Sequence, residues 1–223
     1  MSIPPTTPGI RSDPSRPLVA NTHGNRGVRT RVAGRGEDGS AADAGNAVTP
    51  DEVMFSSAVR AEQARRGSRE SNARRAERGG FGRELSADVI AFIAARDSAY
   101  LSTASADGQP YVQHRGGPAG FLRVLDERTV AFADFSGSRQ YISIGNLAEN
   151  ERAFLFLMDY AAARRLKLWG RARVVDGDAE LFARLADPGY SARIERAIVF
   201  TVRACDWNCS QHIPRLVPAE APR

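Results

Sequence analysis

The sequence predicts a mainly β protein with flanking helices, its strands antiparallel and arranged as a barrel. Three observations carry that reading. Short runs rich in β-branched and aromatic residues recur between turn signals, at Asp107-Gly108 and at Asp126-Glu127-Arg128. The order is helix, four strands, helix, two strands, helix, strand, with few long crossovers, which favours a barrel over a doubly wound sheet. A glycine-rich phosphate loop of the dinucleotide or nucleoside-triphosphate kind is absent, and no internal repeat is seen.

Residues 1–48 are rich in Pro, Gly, Ser, Thr, Asn and Arg and show no sustained hydrophobic period. Such a stretch buries too little apolar surface to offset its backbone entropy, roughly 1–2 kcal/mol per residue, and a disordered tail is expected. Arg11, Arg16, Arg26, Arg29, Arg31 and Arg35 would suit a nucleic-acid arm. Glu37, Asp38 and Asp43 dilute that charge, however, and aromatics for base stacking are missing. Residues 49–80 read as a basic helical extension. Thr49 can cap it, Pro50 suits its first helical position, and Asp51 and Glu52 favour its first turn. Breaks are expected at Gly67 and at Gly79-Gly80. Residues 60–78 are very basic, with Glu62, Glu70 and Glu77 placed as i,i±4 partners. A solvated helix face is favoured there over a nucleic-acid or membrane-surface patch.

Residues 81–216 form the expected main domain. A helix over 85–96 starts at Ser86 and turns Leu85, Val89, Ile90 and Ile93 to one face, with Phe92 near its edge. Strands follow over 99–105, 110–116, 121–125 and 129–135. Residues 138–149 read as a helix, 152–160 as a strongly apolar strand, and 164–175 as a long strand that Gly170 allows to bend. A helix over 178–185 and a last strand over 196–203 complete the domain. From Asp206 onward a polar tail is expected, ending in residues 217–223.

The chain has 223 residues and 24.2 kDa, room for one domain plus a sizeable extension. Its apolar fraction of 42% and mean hydropathy of -0.37 are low for a fully packed chain. A net charge of +5 and a pI near 9.7 favour anionic partners, either a phosphorylated cofactor or nucleic acid. Only two cysteines occur, Cys205 and Cys209, too few for a secreted disulfide framework. No apolar run spans a bilayer and no signal-peptide pattern opens the chain, so a cytoplasmic protein is expected, with no membrane partner.

The chemistry-bearing residues concentrate between positions 100 and 140. Gln113, His114 and Arg115 follow one another on a strand, so Gln113 and Arg115 share one face and His114 takes the other. Either the pair or His114 alone would meet a ligand, with Gly116 and Gly117 clearing space. The ordinary structural alternative is a polar cross-strand pair. Ser138, Arg139 and Gln140 combine a hydroxyl, a guanidinium and the expected start of a helix, which suits an anion. Ser138 could equally be a plain N-cap beside an exposed Arg139. Lys167, Trp169 and Arg171 alternate along one strand. Trp169 fits either a ligand edge or packing, and Arg171 is a second candidate for an anion. Cys205, Cys209 and His212 lack both the spacing and the fourth ligand of a zinc site. Neither a Ser/His/Asp triad nor clustered paired carboxylates are suggested.

Four segments carry a resemblance: Gln113-His-Arg-Gly-Gly-Pro, Phe132-Ala-Asp-Phe-Ser-Gly-Ser-Arg-Gln-Tyr, Leu168-Trp-Gly-Arg-Ala and Trp207-Asn-Cys-Ser-Gln-His-Ile-Pro. Together they resemble the pyridoxamine 5'-phosphate oxidase-related flavoproteins over about residues 81–216. The resemblance implies a split β-barrel that binds FMN at a homodimer interface, with the FMN phosphate at Ser138, Arg139 and Gln140. It also implies that Trp207, Gln211 and His212 close over the partner subunit's flavin. Gln113-His-Arg-Gly-Gly departs from the basic and hydrophobic pattern that the true oxidases carry on this strand, so the substrate stays open. The implied function is an FMN-dependent oxidoreductase with a small-molecule substrate. A non-catalytic flavin-binding or sensing protein, a haem-binding relative of the fold and a deazaflavin protein are the alternatives.

Overall fold

The computed structural model describes residues 48–207 and 210–216. Residues 1–47 of the tail expected over 1–48, Asn208, Cys209 and the end of the chain over 217–223 lie outside the described residues. In chain order the elements are α1 (Pro50–Met54), α2 (Ser57–Arg65), α3 (Arg69–Glu77), α4 (Ala87–Ala94), β1 (Ser98–Ala104), β2 (Pro110–Gly116), β3 (Arg123–Asp126), β4 (Thr129–Phe135), α5 (Ile142–Glu149), β5 (Arg152–Asp159), β6 (Arg164–Val175), α6 (Ala179–Leu185) and β7 (Ile194–Trp207).

The seven strands form one sheet in the order β2-β1-β5-β6-β7-β4-β3, every pairing antiparallel. This is a split β-barrel with flanking helices, as the sequence predicts. Leu101, Leu155, Leu157, Leu166 and Leu168 alternate toward the interior of β1, β5 and β6 and are fully buried. Their neighbours Tyr100, Phe154, Phe156 and Trp169 face outward and are only half-buried. Strand β4 is covered on both faces. Val130 and Phe132 join the main core, whereas Ala131 and Ala133 lie with Ala197, Val199 and the α6 residues Leu181 and Leu185 in a second cluster.

The long strands β6 and β7 hold the two halves of the barrel together, and a register shift at Trp169/Gly170 lets them bend. Trp169 pairs with Ala204, whereas Gly170 pairs with Val202, leaving Arg203 as the extra residue of a bulge. On the other side of β7 the Val202 amide donates to the Arg128 carbonyl at 2.7 Å, continuing the register with β4. Gly170 is required by close approach, because a Cβ there would lie 2.3 Å from the Thr201 carbonyl and 2.6 Å from the Phe200 ring.

Several expected boundaries move. Helix α4 keeps its Ser86 cap, but Phe92 and Ile93 turn inward with Val89, and Ile90 is 37% exposed. The apolar face is therefore rotated toward Phe92, whose ring meets Trp207 edge-on at 4.9 Å. Strand β3 begins at Arg123, because Phe121 and Leu122 are buried in the preceding turn. Strand β7 runs from Ile194 to Trp207, longer at both ends than expected. Asp206 thus belongs to the sheet and does not open a polar tail. It is buried, with Arg75 on one oxygen and Lys167 at 2.9 Å on the other, so its charge is balanced by residues 131 and 39 positions away.

The basic extension is three helices with an additional break at Phe55-Ser56. Thr49 and Glu52 form a reciprocal capping box, and Ser56 caps α2. Asp51 gathers Arg60 at 2.7 Å and Arg69 at 3.4 Å. Glu62 pairs with Arg65 and Arg66, and Glu70 with Arg74. Arg75 leaves the extension to reach Asp206 and lies over the Phe81 ring at 4.7 Å, docking α3 on the barrel.

Gly170→Ala tests the bend. Overpacking against backbone is expected to destabilise the fold by on the order of 1–3 kcal/mol. Chemical unfolding of the two proteins checks it, and an unchanged midpoint would show that the β6–β7 bulge tolerates a side chain.

Candidate functional site

The two ends of the sheet come together at one polar cleft. Strand β2 is the first strand of the sheet order and β4 the sixth, yet Arg115 of β2 is ion-paired with Asp134 of β4. Arg196 of β7 takes the other Asp134 oxygen at 2.8 Å. The side chains of Arg115, Asp134 and Arg196 are 12%, 8% and 17% exposed. A carboxylate this deeply buried requires charge partners, and it has two. The bond to Asp134 is also the main reason the Arg196 guanidinium is held more firmly protonated than usual.

Gln113, two residues before Arg115 on the same face, accepts from Arg115 at 3.1 Å and from the Ser143 hydroxyl of α5 at 3.0 Å. Asn146, one turn further along α5, donates to Thr103 of β1 at 3.0 Å. These bonds fix the start of α5 above β2. The connection from β4 to α5 supplies the other wall. In it Arg139 and Tyr141 take left-handed backbone conformations, φ 60° and 54°, which are strained for side-chain-bearing residues. Arg139 donates to the Tyr141 hydroxyl at 3.3 Å, and the Arg196 guanidinium lies 5.2 Å from the Tyr141 ring centre.

The helix start lies later than predicted. Ser138 precedes α5 by four residues and is not its cap, and Tyr141, at the cap position, makes no side-chain capping bond. The first amides of α5 therefore have no side-chain acceptor, and Ile142, Ser143 and Ile144 line the cleft. Arg115 Nε is likewise buried with no hydrogen-bond partner. Three guanidiniums (Arg115, Arg139, Arg196), a hydroxyl and an uncapped helix start face one space. Against them stand the carboxylates Asp134 and Glu195. Such a donor set is suited to an anion.

Gln113, Arg115, Ser138, Arg139 and Gln140 all line this cleft. The other predicted residues do not. His114 is exposed on the opposite face of β2, its ring 5.7 Å from that of Tyr100. The space expected to be cleared by the two glycines is taken by the chain itself. A Cβ on Gly116 would be 2.9 Å from the His114 ring, and one on Gly117 would be 2.8 Å from Phe121. Trp169 packs edge-on against Phe154 at 5.0 Å on the outer sheet face. Arg171 pairs with Glu151 at 2.5 Å, exposed. Trp207 lies between Phe92 and Arg164, with the guanidinium 4.4 Å from its ring. Gln211 and His212 are exposed after β7.

Sequence reasoning missed Asp134, Tyr141, Ser143 and Arg196. Asp134 did leave a signal, a charged residue inside the apolar run Val130-Ala-Phe-Ala-Asp-Phe. Arg196 left none, since its partner lies 62 positions away.

Fold and cleft together define a split-barrel protein with an arginine-rich polar cleft at the seam of the barrel. The family model for pyridoxamine 5'-phosphate oxidase matches residues 85–214, and the chain belongs to that family. The extension α1–α3 precedes the matched residues. No curated protein matches the chain. Among solved structures, HupZ of Group A Streptococcus is 17% identical, covering 54% of this chain and 91% of its own at a TM-score of 0.45. An FMN-binding protein from Syntrophomonas wolfei is 16% identical, covering 66% and 95% at 0.41. A protein from Clostridium acetobutylicum related to general stress protein 26, of the pyridoxinephosphate oxidase family, is 14% identical, covering 58% and 89% at 0.41. Among the described residues no helix is long and apolar enough to cross a membrane.

Proposed function

We propose that this protein is an FMN-dependent oxidoreductase that acts on a small-molecule substrate as a cytoplasmic homodimer. Family membership motivates the cofactor, and the seam cleft is the observation that carries it. The cleft offers guanidiniums, a hydroxyl and free helix amides in one place, the donor set that a phosphate monoester needs. The fit is supported by Arg115 Nε, a buried donor left without a partner. In this reading Ser138, Arg139 and Gln140 hold the FMN phosphate from the loop side, and Arg115, positioned by Gln113, holds it from the strand side. Bound flavin supplies hydride and one-electron chemistry, so no protein nucleophile is required. The protein's share is to anchor and orient the ring and to keep water from it.

A partner subunit supplies what one chain lacks. The outer face of β1, β5 and β6 presents Tyr100, Phe154, Phe156 and Trp169 only half-covered, beside Val112 at 58% exposure. Burial of such a face is worth roughly 25 cal/mol per Å² of apolar area, and a two-fold pairing covers it twice with one patch. Trp169 and Arg171 would then stand at the shared interface. Gln211 and His212 would reach the partner's flavin, with Trp207 anchoring their segment in its own chain.

Arg139→Ala is expected to weaken FMN by roughly tenfold to a hundredfold while leaving riboflavin affinity nearly unchanged, as loss of a charge-assisted contact implies. Fluorescence titration with both ligands measures this, and equal weakening would remove Arg139 from the phosphate site. Light scattering on the flavin-loaded protein should give twice 24.2 kDa; a stable monomer that binds FMN stoichiometrically would refute the shared site. Steady turnover is expected with a nicotinamide donor and a small-molecule acceptor. Tight FMN without turnover across a panel of donors would instead mark a flavin-storage or sensing protein.

A further inference from the structure

The seam cleft carries its own counter-anion. Asp134 is the most buried of the charged residues there, and each of its oxygens is already occupied by a different guanidinium, one from β2 and one from β7. A site built only to attract anions would leave those guanidiniums unneutralised. Here an entering anion meets donors that a fixed carboxylate has engaged, and that carboxylate repels it. Arg139, on the loop, makes no close ion pair among the described residues; it bonds to the Tyr141 hydroxyl, and Glu195 acts on it at longer range.

We propose that Asp134, held between Arg115 and Arg196, attenuates the affinity of this site for anions, and that Arg196 is one of its anion-holding cations. The proposal rests on the phosphate reading of the cleft and adds two residues to it. With no anion bound, Asp134 is the carboxylate that balances Arg115, and it shares the balancing of Arg196 with Glu195 at 3.3 Å and Asp176 at 3.6 Å. A phosphate dianion carries enough charge and acceptor oxygens to engage several donors at once: Arg139, the α5 amides, Arg115 Nε and the Arg196 protons that Asp134 and Glu195 leave. A singly charged ligand meets a cleft in which Asp134 and Glu195 already offset much of the positive charge. Asp134 therefore lowers the affinity for every anion, and for a dianion more than for a monoanion.

Asp134→Asn keeps the shape and removes the charge. Two measurements on the full-length protein read the effect: binding of inorganic phosphate to the flavin-free protein, and the preference for FMN over riboflavin. The variant is expected to melt earlier when empty, yet to bind phosphate about tenfold more tightly and to raise its FMN-over-riboflavin preference by a similar factor. A residue with only a structural role would weaken FMN and riboflavin alike, and that result, or no change in either measurement, overturns the proposal. Arg196→Gln, with Asp134 intact, tests the cation half of the proposal even if the first variant does not fold. It should weaken phosphate about tenfold and spare riboflavin, and unchanged phosphate affinity would overturn the role of Arg196. If the wild-type protein binds phosphate but neither FMN nor riboflavin, the flavin reading fails while the phosphate measurements still decide on Asp134. No phosphate response in the wild type would overturn the anion site itself.

Discussion

The ion pair across the seam of the barrel is the interaction on which the cleft side of the molecule depends. A seven-stranded open sheet leaves two edge strands, and its first and sixth strands would be far apart if it lay flat. Arg115 and Asp134 join them, and Arg196 ties the same carboxylate to the long strand β7. The cost of burying Asp134 is offset only while both guanidiniums stay in place. That requirement sets the distance between the β2 wall and the β4–α5 loop, and so the width of the cleft. Gln113, bonded to both Arg115 and Ser143, carries the same constraint into α5.

A second buried carboxylate performs the corresponding task at the other end of β7. Asp206 is paired with Lys167 on the neighbouring strand and with Arg75 from α3, so the extension is docked through charge as well as through the contact of Phe55 with Phe81. Other arginines of the extension are paired within it, with Asp51, Glu62 and Glu70. A sequence that looks like a basic patch is thus largely an internally balanced one. The arginines facing the seam differ in setting, because there a cleft accompanies the charge.

Between these two ends the barrel is held by ordinary apolar packing. Leucines of β1, β5 and β6 fill the interior, and the Gly170 bulge allows β6 and β7 to serve both halves of it. The outward aromatics of the same strands are the surface that this packing leaves half-covered.

The sequence by itself determined the class of the fold and most of its elements. Alternation and turn chemistry are local, so the runs 110–116, 129–135 and 164–175 are legible with their boundaries, and so is the split of Gln113 and Arg115 from His114. The cap at Ser86 and the capping box at Thr49 are legible for the same reason. What the tertiary structure decided is everything that depends on distant charges and close approach. Asp206 reads as the start of a polar tail until Lys167 and Arg75 neutralise it. Ser138 reads as a helix cap until the left-handed turns at Arg139 and Tyr141 delay the helix. Gly116 reads as space for a ligand until the His114 ring and the Asp97 carbonyl fill it. Asp134 and Arg196 lie 62 positions apart and become one site only when the sheet closes, because a buried charge is defined by partners that no local pattern encodes.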